Sequence, residues 1–398
     1  MFFTFALMSF PKKLQKKLED RKAANALRKL GTPTICIDFT SNDYLGFSKN
    51  ENIYANTHAL LNEHNCKQNG SSGSRLLSGN HPLYPIVEGV LCNFHQSESA
   101  LIFNSGYDAN VGFFSSVPQR GDVILYDEYA HASVRDGVAM SHAKAYKFRH
   151  NDLRHLDEML MRLEPHDIVY VVTESVFSMD GDSPDLRALA GLCKKYSALL
   201  VVDEAHAIGV LGKQGLGLIQ DLNQESLVFA RIVTFGKALG CHGAAILGSK
   251  SLKLYLVNFS RSFIYTTALP PHSLATIKCA YDQLVISANS EPSHNAIWLL
   301  NRSIQLFKAG ILENKLQSIF IDSNSAIQCC IIPGNERVKS IATKLQELGF
   351  NVMPILSPTV PENHERLRFC LHSYNTQHEI SEVLKELATF VSPISVLA

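Results

Sequence analysis

The sequence predicts an α/β fold: a large, mainly parallel sheet domain with helices on both faces, followed by a smaller α+β domain at the C-terminal end. Three observations carry that expectation. Short apolar runs recur through the first two thirds of the chain, too uniform for a sheet with one wet face. Segments of helical periodicity separate most of them. After the polar stretch "SANSEPSHN" (287–295) the pattern becomes one helical segment, two strand-like runs and a final helix. With 398 residues, 46% hydrophobic and 19% charged, the chain can bury a large core in roughly two domains.

Taken in order, residues 11–30 place leucines and alanines at helical spacing among many charges, which predicts an exposed amphipathic helix packing on something else. Ahead of it, "MFFTFALMSF" is apolar but lacks a positive start and meets Pro11 and two lysines instead of a small-residue cleavage site. It reads as an extension preceding a start at Met8. The strands expected next are "SALIF" (99–103), "DVILY" (122–126), "IVYVVT" (168–173), "ALLVVD" (198–203), "ARIVTF" (230–235) and "AAILG" (244–248). In the smaller domain "AIQCCII" and "RLRFCL" are the two strand-like runs. The division that follows is an N-terminal helix and arm over 1–48, the large domain over 49–288 and the small one over 289–398.

Composition removes several function classes. Thirty-seven basic residues balance 37 acidic ones, and beyond "PKKLQKK" there is no basic block, so neither nucleic acid nor an anionic membrane surface is expected as a partner. No run approaches the roughly 20 apolar residues that span a bilayer. The 9 cysteines are odd in number and irregularly spaced, without a CxxC pair, which argues against a disulfide framework and a zinc site and favours a reducing cytoplasm. A small molecule is the expected partner.

In open parallel sheets ligands collect at the carboxyl ends of the strands, and here those ends are polar. The first strand runs into "NSGYDAN", which puts Ser105, Gly106 and Tyr107 at a strand-to-helix junction where free N–H groups and the helix dipole favour a phosphate. The next strand leads to His131 in "DEYAHASVRDG". Glu174 and Ser178 follow "IVYVVT", Asp203 and His206 follow "ALLVV", and Lys237 follows "RIVTF" between glycines. A lysine amine that can bond a carbonyl cofactor, an acid that can keep a pyridine nitrogen protonated and an anion site together suit pyridoxal 5'-phosphate. No metal is called for.

Eight stretches in order, "SNDYLGFS" (41–48), "SGSRLLSGNHPLY" (72–84), "YDEYAHASVRDG" (126–137), "TESVFSMDGDSPDL" (173–186), "VVDEAHAIGVLG" (201–212), "TFGKALGCHGAAILGS" (234–249), "SFIYTTALPP" (262–271) and "PTVPENHERLRF" (358–369), resemble the α-oxoamine synthases, which are fold type I pyridoxal phosphate enzymes. The resemblance runs from about residue 20 to the C-terminal helix. It implies that Lys237 bonds the cofactor, Asp203 partners the pyridine nitrogen, His131 stacks on the ring and His206 meets its phenolic oxygen. It further implies cofactor contacts from Ser178 and a phosphate cradle of Gly106, Tyr107 and Thr234, with Thr266 and Thr267 reaching the phosphate of a neighbouring subunit in a homodimer. Arg368 resembles the arginine that grips the amino acid carboxylate, although Arg366 two residues earlier would point to the same face of a strand. Arg28 and Thr359 fall where the family contacts the acyl substrate, and Asn42 where it lines the same cleft. The implied reaction is decarboxylative condensation of L-alanine with a pimeloyl thioester, carried on coenzyme A or acyl carrier protein, at the start of biotin ring assembly. The alternatives are other members of the family, a glycine C-acetyltransferase, 5-aminolevulinate synthase, serine palmitoyltransferase or quorum-signal synthase, or a catalytically silent scaffold.

Overall fold

The computed structural model describes residues 10–28, 30, 36–164 and 168–391. The expected extension at 1–9 and start at Met8 lie outside the described residues. The helix expected over 11–30 is Lys12–Ala23, with no residue buried in this chain. Just beyond it comes Asn25, whose left-handed backbone turns the chain and whose side chain is held by Glu336 (2.6 Å) and Lys339 (2.6 Å).

The strands in chain order are β1 (Ile37–Asp38), β2 (Ser99–Phe103), β3 (Val123–Asp127), β4 (Lys144–Phe148), β5 (Val169–Glu174), β6 (Leu199–Asp203), β7 (Val228–Thr234), β8 (Ala244–Gly248), β9 (Ile327–Ile331), β10 (Phe350–Asn351), β11 (Met353–Ile355) and β12 (Arg366–Cys370). Seven of them form the large sheet in the order β2-β8-β7-β6-β5-β3-β4. All of these run parallel except β8, which is antiparallel to both neighbours. The connection 235–243 between β7 and β8 is too short for the crossover a parallel return requires, so the chain folds straight back, and that connection carries Lys237.

The six expected strands of this sheet are present within a residue or two at each end. The exception is β4, which the sequence reading did not anticipate. "KAYKF" is an edge strand whose first four residues are exposed, so it lacks the continuous apolar run of a strand buried on both faces. The smaller sheet, β11-β12-β9, adds β11 to the two expected strands. Pro354 sits within β11, a position tolerated because that strand is at the sheet edge.

One apolar cluster runs from Phe39 and Tyr44 through Val233 and Ala245 of the large sheet to Leu367 and Phe369 of the small one. The arm after the first helix is therefore built into the core, and β1 pairs parallel with β10. A second cluster fills the opposite face of the large sheet beneath the helices Gly106–Phe114 and Ala132–Ala139. Arg366 of β12 reaches the loop after β5, where it bonds Met179 O and Asp180.

Candidate active site

The parallel register of β5 and β6 places Glu174 opposite Asp203, and Asp203 in turn pairs with Ile232 of β7, two residues before Thr234. Three strand ends thus bring Glu174, Asp203 and Thr234 to one edge. Gly106 joins them from the first turn of its helix, since a Cβ there would lie 3.7 Å from Thr234 Oγ1. Ser105 caps that helix, its Oγ accepting from the Asp108 N–H (3.0 Å). The adjoining Tyr107 is exposed and donates to Asp136 Oδ2 (2.6 Å).

The buried carboxylate of Asp203 is held by neutral donors. Oδ2 accepts from Asn110 Nδ2 (2.8 Å) and Oδ1 from the Ala205 N–H (2.9 Å). Asn110 also donates to Ser133 Oγ (3.0 Å), which lies 2.7 Å from His131 Nδ1. A chain of hydrogen bonds thus runs from Asp203 to the ring of His131. That ring stands at the N-cap of the helix Ala132–Ala139, where Nδ1 also accepts from the Ser133 N–H, and the His131 N–H donates to Glu174 Oε1 (2.6 Å). Burial lowers the His131 pKa, with Asp203 opposing and Lys237 reinforcing the shift. Burial first, then Asp203, pushes the Glu174 carboxyl up to about 8.

Lys237 is half-buried facing this group. Desolvation brings its amine down to about 8, with Asp203 and Glu174 raising it and Arg368 lowering it. His206 is buried with its Nδ1 2.8 Å from Tyr44 Oη, and desolvation keeps it well below the usual imidazole range. Tyr44 donates onward to Asn42 Oδ1 (3.1 Å), which also accepts from Arg368 Nη2 (3.0 Å).

The two arginines of β12 are not equivalent. Arg366 is 3% exposed and fully engaged, with Nη1 on Asp180 Oδ1 (2.6 Å) and Met179 O (3.0 Å), and Nε on His364 O (2.9 Å). Arg368 has its Nη2 hydrogen bond to Asn42 and a buried Nε without a partner, an unmet donor.

A cavity of about 540 Å³ adjoins these residues, bordered by His131, Ser178, Tyr129, Arg135, Thr359 and Arg366 among others. Lys237 is not on its wall, so the cavity is a neighbouring chamber rather than the lysine's own pocket. At its mouth Arg28 Nη2 donates to Thr359 Oγ1 (3.4 Å), joining residues far apart in the chain. Thr266 and Thr267 lie elsewhere, against Asn104 at the end of β2: Asn104 Nδ2 donates to Thr266 Oγ1 (3.0 Å) and Thr267 O (2.7 Å).

Four residues escaped the sequence reading. Asn110 lies in "NSGYDAN" and Tyr44 in "SNDYLGFS", but nothing local marks which polar side chain faces the site. Ser133 is a buried relay. His150, at the end of β4, is clamped between Asp127 Oδ1 (2.9 Å) and Asp182 Oδ2 (2.8 Å), with Tyr129 stacked on it at 4.4 Å. This ion cluster ties the loop after β3 to the loop after β5.

Residues 34–387 match the family described as aminotransferase class I and II. A curated relative from Emericella nidulans, an 8-amino-7-oxononanoate synthase, is 38% identical over 95% of this chain and 95% of its own length. The solved 8-amino-7-oxononanoate synthase of Francisella tularensis is 28% identical, with a TM-score of 0.75 over 89% of this chain and 97% of that one. A serine palmitoyltransferase structure holding PLP is 25% identical, with a TM-score of 0.84 over 95% of this chain and 96% of that one.

Proposed function

Because the chain belongs to the aminotransferase class I and II family and, within it, to the 8-amino-7-oxononanoate synthases, we propose that it joins L-alanine to a pimeloyl thioester. The products are 8-amino-7-oxononanoate, carbon dioxide and the free thiol, a step of biotin biosynthesis. Pyridoxal 5'-phosphate is its cofactor. When bound, that group supplies an electron sink that makes the Cα–H of an amino acid acidic.

The residues present fit that cofactor. The observation that carries the reading is a lysine on the short β7–β8 connection at the same sheet edge as the buried Asp203 carboxylate, which accepts from Asn110 Nδ2 and the Ala205 N–H. In this reading Asp203 keeps the ring nitrogen protonated, and Asn110 orients Asp203. His131, its backbone fixed by Glu174 and its imidazole by Ser133, would stack on the ring. His206, held by Tyr44, meets the phenolic oxygen, and Ser178 gives a further contact. The N–H groups at the start of the helix after Ser105, namely Gly106 and Tyr107, take the phosphate together with Thr234. Thr266 and Thr267 serve the phosphate of a second subunit in a homodimer.

The unmet Nε of Arg368 receives the amino acid carboxylate, for which the planar guanidinium is well shaped. Lys237 anchors the cofactor, takes the Cα proton of the bound amino acid and returns a proton to the product, work that a pKa near 8 suits. Arg28, Thr359 and Asn42 border the path of the acyl group, whose carrier is coenzyme A or acyl carrier protein. The cytoplasm suits a chain whose nine cysteines are all free, and among the described residues no helix is long and apolar enough to cross a membrane.

Borohydride treatment of the yellow holoenzyme followed by peptide mass spectrometry is expected to fix the cofactor mass on Lys237, and Lys237→Ala is expected to fold without turnover. A panel of L-alanine, glycine and L-serine with pimeloyl thioester is expected to favour alanine. Substantial turnover by Lys237→Ala, or better use of glycine or serine, overturns the reading.

A further inference from the structure

The cavity beside His131 contains a cation that the reaction described above does not use. Arg135 borders it and has no carboxylate partner among the described residues. Its neighbour on the same wall, Arg366, is by contrast neutralised by Asp180 at 2.6 Å. Arg135 stands one helical turn beyond His131, its N–H donating to His131 O (3.2 Å), so the two side chains share a helix face and both meet the cavity. Its charge is felt at the His131 ring, where it helps to disfavour protonation.

The acids on the same wall do not claim it. Asp180 is committed to Arg366, Glu128 Oε1 accepts the His150 N–H (2.9 Å), and Glu362 is exposed. Between these charges the wall is mixed, with Ser178, Ser357 and Thr359 beside an apolar stretch of Tyr129, Ala130, Met179, Pro358 and Val360. A flexible carbon chain suits that stretch, and a chain ending in an anion suits a wall that ends in an unpaired guanidinium.

The distances agree. A pimeloyl group has six carbon–carbon bonds between its thioester carbon and its far carboxyl carbon. At the advance per bond of an extended backbone it spans about 7 Å. One helical turn advances about 5.4 Å, and the arginine side chain extends the reach from there. A chain whose thioester end lies beside His131 therefore brings its far end within range of Arg135.

Resting on the acyl-transfer reading above, we propose that Arg135 receives the free carboxylate at the far end of the acyl substrate, so that the site selects dicarboxylic half-thioesters over plain fatty acyl thioesters of equal length. The test compares pimeloyl and heptanoyl thioesters, equal in carbon number and differing only in the terminal carboxylate, on the wild-type holoenzyme and on Arg135→Gln and Arg135→Lys. The ratio of kcat/KM for pimeloyl over heptanoyl is expected to fall about ten- to a hundredfold in Arg135→Gln, the range for losing a hydrogen bond to a charged group, and less in Arg135→Lys. KM for L-alanine and cofactor absorbance report whether the variants keep the rest of the site. Wild-type turnover with an unchanged ratio in Arg135→Gln overturns the inference and leaves the proposed function standing. A wild-type enzyme that makes no product from pimeloyl thioester and alanine overturns both.

Discussion

Asn110 donates a hydrogen bond of 2.8 Å to Asp203 Oδ2 from one helix turn inside Gly106–Phe114, tying the helix that Ser105 caps to the carboxylate at the end of β6. Both residues are buried, so no water stands ready to replace the donor. Asn110→Ala is expected to weaken cofactor binding by roughly tenfold or more, the cost of about 1.5–3 kcal/mol for a hydrogen bond to a charged group. Absorbance titration of the apoenzyme with pyridoxal phosphate measures it; wild-type affinity would show that Asp203 is held without this donor.

Asp203→Asn keeps the shape of the side chain and removes its charge. Loss of a few kcal/mol of transition-state stabilisation corresponds to a hundredfold or more in rate. Exchange of the alanine Cα–H with deuterated solvent, followed by NMR without any acyl substrate, is expected to slow by at least that factor. Exchange at the wild-type rate would place the critical carboxylate elsewhere.

The two arginines of β12 separate by consequence. Arg368→Lys keeps a charge but loses the fork, so KM for L-alanine is expected to rise strongly with a smaller effect on the thioester. Arg366→Ala strands Asp180, and removing one partner of a buried ion pair costs about 3–5 kcal/mol, so its signature is a lowered urea midpoint. If Arg366 substitutions weaken alanine saturation while Arg368→Lys does not, the carboxylate site belongs to Arg366.

His150 provides a dependence on pH. Burial works against its charge, yet the hydrogen bonds it donates to Asp127 and Asp182 prevail and push its pKa up to about 10, from the ordinary 6.5. The folded chain therefore binds more protons between those values. This stabilisation is full below pH 6.5 and is lost as pH rises through about 10. His150→Gln is expected to cost about 3 kcal/mol in urea unfolding at pH 6, and the gap to wild type is expected to narrow by pH 10. A gap that does not change with pH would mean that His150 is neutral between its two carboxylates.

The sequence by itself determined the fold class, six strands of the large sheet and the polar residue following each strand that ends at the site, because continuous apolar runs and their turn residues are local signals. It also carried Lys237, Asp203, His131 and Arg368 through motifs read in order. It missed β4 and β11, whose edge positions relieve them of the apolar pattern that marks buried strands. Only the tertiary structure decided which of two arginines is neutralised, since the partner of Arg366 is Asp180, 186 positions away in the chain. The same holds for Asn110 on Asp203, Tyr44 on His206 and the clamp of Asp127 and Asp182 on His150. A side chain's chemistry is written in its own residue, but its charge state and availability are set by neighbours that only the packed sheet and its loops bring within hydrogen-bonding distance.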